Sequence, residues 1–334
     1  MMKPELQSKI QAAVARLHDG GVVAFPTETV YGLGADATNS AAVRRVFEIK
    51  GRPADHPMIV HLADESQLAN WAREVPSKAK LLARRFWPGP LTLILPRSHQ
   101  VSNVITGGQD TVGLRVPDHP IALALIRGMG NAGGLAAPSA NHYGRISPTT
   151  AAHVQEEFGD EIDMIIDGGS CQVGLESTIV SCIDNIVKVL RPGGVPLPAL
   201  EEVLQQKIEV FDSHQSNIRV SGSSPSHYAP NTPLEICSSS TLWNRVSALG
   251  REGKRVATLE WSAPYTVHLD NLNVRRTAMP ANPVAYGQLL YATLRQLDDA
   301  RFDRLMIEAP PATAPWLAVA DRLQRASYPV YCPV

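Results

Sequence analysis

The sequence predicts an α/β protein in two parts: an α+β domain over residues 1–208 and a small doubly wound α/β domain over 233–334. Three observations carry this reading. In the first part strands outnumber helices and the loops are short, which suits many antiparallel pairings. In the second part strand and helix alternate, the pattern of a small parallel sheet with crossover helices. Between them, over 209–232, Ser221-Gly222-Ser223-Ser224-Pro225-Ser226 cannot form a core element and reads as a linker. A chain of 334 residues with 44% hydrophobic content allows each part its own core.

In chain order, Leu6, Ile10, Val14 and Leu17 recur at helical spacing, and Gly20-Gly21 ends that helix. Val22–Pro26 reads as a buried strand, followed by a hydroxyl- and glycine-rich loop, Thr27–Gly34. Ser40 is placed to cap a helix that carries Val43, Val46, Phe47 and Ile49 into Lys50. A strand over Met58–Leu62 follows, then a helix around Leu81–Trp87 stopped by Pro88-Gly89-Pro90. Leu91–Leu95 and Val112–Val116 read as strands, Ile121–Ile126 as a short helix, and Leu135–Ser139 as a strand ending. Pro148-Thr149-Thr150 opens a helix through Phe158. Strands at Met164–Ile166, Ser177–Ile183 and Ile186–Leu190 and a helix at Leu200–Gln206 close the first part. In the tail, Leu234–Cys237, Arg255–Glu260 and Arg304–Ile307 read as strands, and Leu242–Leu249, Val284–Leu297 and Trp316–Arg325 as helices. The tail has no G-x-G-x-x-G fingerprint, so no nucleotide is assigned to it.

Composition narrows the function. Lys plus Arg number 31 against 32 acidic residues, a net charge of −1, which argues against a general polyanion binder. Cys171, Cys182, Cys237 and Cys332 have no C-x-x-C spacing, so neither a disulfide framework nor a metal site is expected, and a reducing cytosol fits. The N-terminal MMKPELQSKIQ has no apolar signal core, and no apolar run is long enough for a membrane span.

Several residues carry chemistry. Lys50 and Arg52 flank a glycine just past a helix, where two cations suit a polyphosphate or answer the helix dipole. Thr27, Thr29 and Tyr31 sit in a glycine-ended loop after a strand, placed either for a ligand or for local backbone groups. His61 ends an apolar strand, where a satisfied core histidine is the usual finding. Arg115 interrupts another, and burying it needs an anion: an internal ion pair or the carboxylate of a ligand. Ser139 and Asn141 close an apolar run among small residues that let a ligand approach the backbone. Ser147 reads as a helix cap or a ligand contact, Ser177 heads a strand, and Arg191 in its Pro-Gly turn reads by default as surface.

Taken in order, PTETVYGLG, IKGRPADHPMIVHLAD, RFWPGPLTLIL, VGLRVP, APSANHYGRISPTT, GLESTIV and LRPGG resemble the threonylcarbamoyladenylate synthase family with its YrdC-like catalytic domain. The resemblance covers nearly all of residues 7–208, and IEAPPATAPWLAVADRLQRAS is similar to the ending of its two-domain Sua-type members. It implies a YrdC-like α+β domain with a twisted mixed sheet. It also implies a nucleotidyltransferase that joins L-threonine, bicarbonate and ATP into threonylcarbamoyl-AMP, releasing pyrophosphate. Partner proteins then transfer the threonylcarbamoyl group to an adenosine beside the anticodon of tRNA. By resemblance, Lys50, Arg52, Ser139 and Asn141 form the catalytic signature around the ATP phosphates, and His56, Thr111, Ser147, Arg191 and Tyr228 complete the ATP site. Thr29, His61, Arg115, Ser177 and the Ala137 backbone would surround L-threonine. Mg²⁺ would come with ATP, held mostly by phosphates and water and by no protein side chain.

His56 stands where many relatives have asparagine. Many also carry Pro-Gly-Met and basic residues before His-Tyr-Ala-Pro, whereas this chain has Ser221–Ser226 there. The resemblance makes the linker a lid over ATP, with Tyr228 its contact, in a cytoplasmic protein with weak or no direct tRNA binding. Two rivals are a hydrogenase-maturation carbamoyltransferase and an RNA-binding translation or ribosome-assembly factor with a basic cleft. The first would bring an acylphosphatase-like segment and zinc-finger cysteines, neither visible here. The second would bring an aromatic-rich RNA-binding motif.

Overall fold

A computed structural model of the chain describes residues 3–211, 218–222, 224–262 and 273–327. Cys332 and Ser223 lie outside the described residues. The chain divides into two compact units, one of residues 1–143 and 147–223, the other of 144–146 and 224–334. The division at 223/224 falls inside the glycine- and serine-rich linker.

The first unit is built on a ten-stranded mixed sheet. Its strands are β1 (Val23–Phe25), β2 (Gly32–Asp36), β3 (Ile59–His61), β4 (Leu91–Pro96), β5 (Thr111–Arg115), β6 (Leu135–Ala136), β7 (Met164–Ile165), β8 (Thr178–Ile183), β9 (Ile186–Arg191) and β10 (Glu209–Val210). They lie in the order β10-β9-β8-β4-β5-β3-β6-β2-β1-β7. Hairpin neighbours such as β1–β2, β4–β5 and β8–β9 are antiparallel, while β3–β5, β4–β8, β1–β7 and β9–β10 are parallel.

Strand alternation sorts the central strands into two faces. Val60, Leu93, Leu114 and Val180 point into the main core with Val43, Val46 and Leu82 from the covering helices. Their neighbours Thr92, Ile94, Gly113, Arg115 and His61 take the opposite face, in register across β4, β5 and β3. A second cluster, including Ile10, Leu17, Phe25 and Ile126, joins helices Pro4–His18 and Pro120–Gly128 to the β1 end of the sheet.

The structure corrects the reading at several points. Gly32–Asp36 is a strand, not loop. Its glycines mark close packing: a Cβ on Gly34 would sit 2.6 Å from the Phe25 ring. Asn39, not Ser40, caps helix Ser40–Lys50, because its side-chain oxygen reaches the amides of both Ala41 and Ala42. The helix expected at Pro148 begins at Ala151, capped by Thr150, so Ser147 is no helix cap.

Among the described residues the second unit holds four strands, β11 (Leu234–Cys237), β12 (Val256–Glu260), β13 (Val274–Ala278) and β14 (Arg304–Glu308), all parallel in the order β11-β14-β12-β13. Helices Leu242–Arg251, Pro283–Asp299 and Leu317–Ala326 follow β11, β13 and β14. Strand β13 was not anticipated. It is a largely exposed edge strand carrying Arg275 and Arg276, without the apolar run that marks a buried one.

Candidate active site

Lys50 is the last residue of its helix and is followed by Gly51, a left-handed C-cap at φ 58° that glycine adopts without strain. The turn directs the lysine inward, where it is 2% exposed. Its Nζ donates to Ser139 O at 2.6 Å and to Asn141 O. The two stretches separated by some ninety residues in sequence therefore meet. Burial holds the Lys50 ammonium pKa well below the ordinary lysine value, the Arg52 charge adds to this, and Glu157 opposes it. Arg52, also buried, donates to Pro57 O at 2.9 Å and to Ser221 Oγ at 3.1 Å. His56 lies edge-on to Tyr143, with ring centroids 5.4 Å apart. Its pKa is lowered by burial first and by the Arg52 charge second.

A second polar group sits on the site face of the sheet. His61 and Arg115 are register partners on β3 and β5, 3% and 4% exposed. Glu28, from the loop between β1 and β2, brings Oε1 to 2.6 Å of Arg115 Nη2. Arg115 thus has the internal ion pair that its burial demands. Glu28 Oε2 accepts from the Asp118 amide at 3.0 Å, and Arg115 Nε donates to Gly89 O at 3.3 Å. The Glu28–Arg115 contact is close but off the hydrogen-bond axis. Glu28 Oε1, Arg115 Nη2 and His61 Nδ1 are all buried with no hydrogen-bond partner among the described residues. Burial and the Arg115 charge push the His61 pKa down to about 3, so its ring is neutral at physiological pH. Thr29 is fully buried with its Oγ1 2.8 Å from that of Thr27, which itself donates to Val30 O. Ala137, 5% exposed, donates its amide to Ile59 O.

Arg191 is not on the surface: it is 4% exposed. Its guanidinium donates to Ser177 O at 2.8 Å and to Ser221 O at 2.8 Å. Gly193 lets this turn approach closely, since a Cβ there would meet Glu176 O at 2.4 Å. Ser177 Oγ lies 2.7 Å from Thr92 Oγ1, and Ser147 donates to Glu176 at 2.6 Å. Thr111 opens β5 and lines a cleft with Pro57, Gly113, Arg219 and Ser221. Val220 packs on Ile94, Ile179 and Leu190 across this face. The 218–222 part of the linker is thus an ordered strap on the first unit, and Ser221 joins Arg52 to Arg191.

Residues 15–193 match the family model described as telomere recombination (Sua5, YciO and YrdC), and 195–327 match the threonylcarbamoyl-AMP synthase C-terminal domain. The chain is 44% identical over 327 residues to the threonylcarbamoyl-AMP synthase of Bacillus subtilis, covering 96% of this chain and 93% of that one. This chain belongs to the threonylcarbamoyl-AMP synthase family. The Pyrococcus abyssi member is 40% identical over 96% of this chain and 94% of its own length. A crystal structure of P. abyssi Sua5 complexed with L-threonine superposes with a TM-score of 0.86, at 39% identity, over 96% of this chain and 94% of that one.

Within this family member Tyr228 belongs to the second compact unit. It adopts φ 60° and is 1% exposed, stacked on Tyr291 at 5.7 Å with the Arg322 guanidinium 5.0 Å from its ring. Reading the sequence residue by residue missed Glu28, Thr92, Glu176 and Ser221. Glu28 and Glu176 carried a usable signal, since each is an acid inside a run of residues that burial would claim. Ser221 carried none, because a serine in a Gly-Ser stretch has the composition of a spacer.

Proposed function

We propose that this chain condenses L-threonine, bicarbonate and ATP into threonylcarbamoyl-AMP and pyrophosphate. The observation that carries the reading is buried Lys50 reaching both Ser139 O and Asn141 O, in a chain that matches a synthase over 96% of its length. The threonine amine and bicarbonate form a carbamate with loss of water, and the carbamate oxygen then attacks the α-phosphorus while pyrophosphate leaves. Such a reaction needs positioning and charge neutralisation more than a protein nucleophile.

In this reading Lys50 and Arg52 neutralise the phosphates opposite Ser139 and Asn141, and Lys50 exchanges carbonyl oxygens for phosphate oxygens. His56, Thr111, Ser147, Arg191 and Tyr228 complete the ATP site. Arg115 holds the threonine carboxylate, with Thr29, neutral His61, Ala137 and Ser177 around the rest. Mg²⁺ comes with ATP, held mostly by its phosphates and by water. That ion supplies charge neutralisation on the phosphates.

The product passes to proteins that transfer threonylcarbamoyl to tRNA in the cytoplasm. Among the described residues no helix is long and apolar enough to cross a membrane. The RNA-binding alternative is not favoured by a net charge of −1 or by the relatives. Pyrophosphate release from ATP tests the reading. Release that requires both threonine and bicarbonate is expected; release with neither would overturn it. A salt titration should show at most weak tRNA binding without ATP.

A further inference from the structure

Glu28 has no role in the site described so far beyond pairing with Arg115. Its placement asks for more. Arg115 already has an internal counter-ion, so a ligand carboxylate alone would add a second anion to a neutral, buried pair. Two anions on one buried guanidinium repel unless a further cation joins them. A zwitterionic amino acid brings that cation two bonds from its carboxylate. The pair presents the complementary arrangement, with a positive Nη2 and a negative Oε1 2.6 Å apart. Both atoms, and Nδ1 of His61, the register partner of Arg115, are buried without a hydrogen-bond partner among the described residues. Glu28 itself is fixed: its Oε2 accepts from the Asp118 amide and its backbone oxygen from the Val173 amide. Oε1, 2.6 Å from Arg115 Nη2, is the carboxylate oxygen with no hydrogen bond of its own, and it is the one a ligand ammonium would share with the arginine.

We propose that Glu28 recognises the α-ammonium group of the amino-acid substrate, beside the carboxylate held by Arg115. This rests on the threonine reading above and deepens it. Glu28 selects against carboxylates that lack an amine. It also fixes the position of the nitrogen, which must give up a proton before it condenses with bicarbonate. In a buried site such charge matching discriminates strongly between ligands.

Calorimetry on the full-length protein separates the outcomes. The probes are L-threonine and 3-hydroxybutanoate, which keeps the carboxylate and hydroxyl and lacks the ammonium. The wild-type protein should prefer threonine by at least about tenfold, the equivalent of one hydrogen bond to a charged group. In Glu28→Gln, threonine affinity should fall at least about tenfold, while 3-hydroxybutanoate binds as well as before or better, because Arg115 has lost its internal anion. ATP affinity serves as the control for folding. Equal loss for both ligands would reduce Glu28 to a support for Arg115 and overturn the proposal, as would unchanged threonine affinity. Should the variant fail to fold, the wild-type comparison decides: equal affinity for the two probes overturns the proposal. No threonine binding at all by the wild-type protein would instead overturn the threonine reading beneath it.

Discussion

Lys50 shows how a helix end can bury a cation. Its ammonium is buried against two carbonyl oxygens, and burial with the nearby Arg52 pulls its pKa down. Phosphate oxygens would favour the charged form more than neutral carbonyls do. Lys50→Met keeps most of the volume and removes the charge. It should lower kcat/KM for ATP by about 10²-fold or more, with a cooperative unfolding transition retained, in a pyrophosphate-release assay. His61 offers a pH test of the pocket. Its folded pKa, near 3, lies below the ordinary histidine value of 6.5, so the unfolded chain binds the extra proton between these values. Its contribution is present above pH 6.5 and is lost as pH falls towards 3, by roughly 5 kcal/mol in the limit. His61→Gln should flatten that part of the stability–pH curve measured by urea unfolding.

At the scale of elements, the site depends on where turns and helix ends are fixed. The Arg191 turn passes so close to residues 176–178 that only glycine fits at 193. Gly193→Ala should cost about 1–3 kcal/mol by denaturant unfolding and raise KM for ATP, because Arg191 moves with the turn. By contrast, Asn39 caps the far end of the helix that delivers Lys50. Asn39→Ala should cost about 1 kcal/mol and leave pyrophosphate release unchanged. The pair of variants separates loss of stability from loss of the site.

At the scale of the whole molecule, the two units have separate cores. The large core and the cluster over β1 draw only on residues up to 208, and the strap at 218–222 closes the open face of the same sheet. A chain of residues 1–222 should therefore unfold cooperatively by itself, as read by calorimetry. If the tail contributes Tyr228 to the nucleotide site, that shortened chain should show a raised KM for ATP. Tyr228→Ala in the full chain should reproduce the effect.

The sequence alone was enough to mark most elements, because buried strands and amphipathic helices have periods of their own. Val22–Pro26, Leu91–Leu95 and the helix into Lys50 were legible in this way. So was the need for an anion beside Arg115, since a buried guanidinium requires one. Which anion it is could not be read, because Glu28 lies 87 positions away in sequence and only the sheet brings it to the arginine. The same holds for Arg191, whose Pro-Gly turn has a surface composition but folds inward onto Ser177. It holds also for Ser221, whose linker composition conceals a bridge between two arginines. Local pattern determined the elements and the chemical types available. Tertiary structure alone decided which charges face one another, because burial and pairing depend on neighbours distant in the chain.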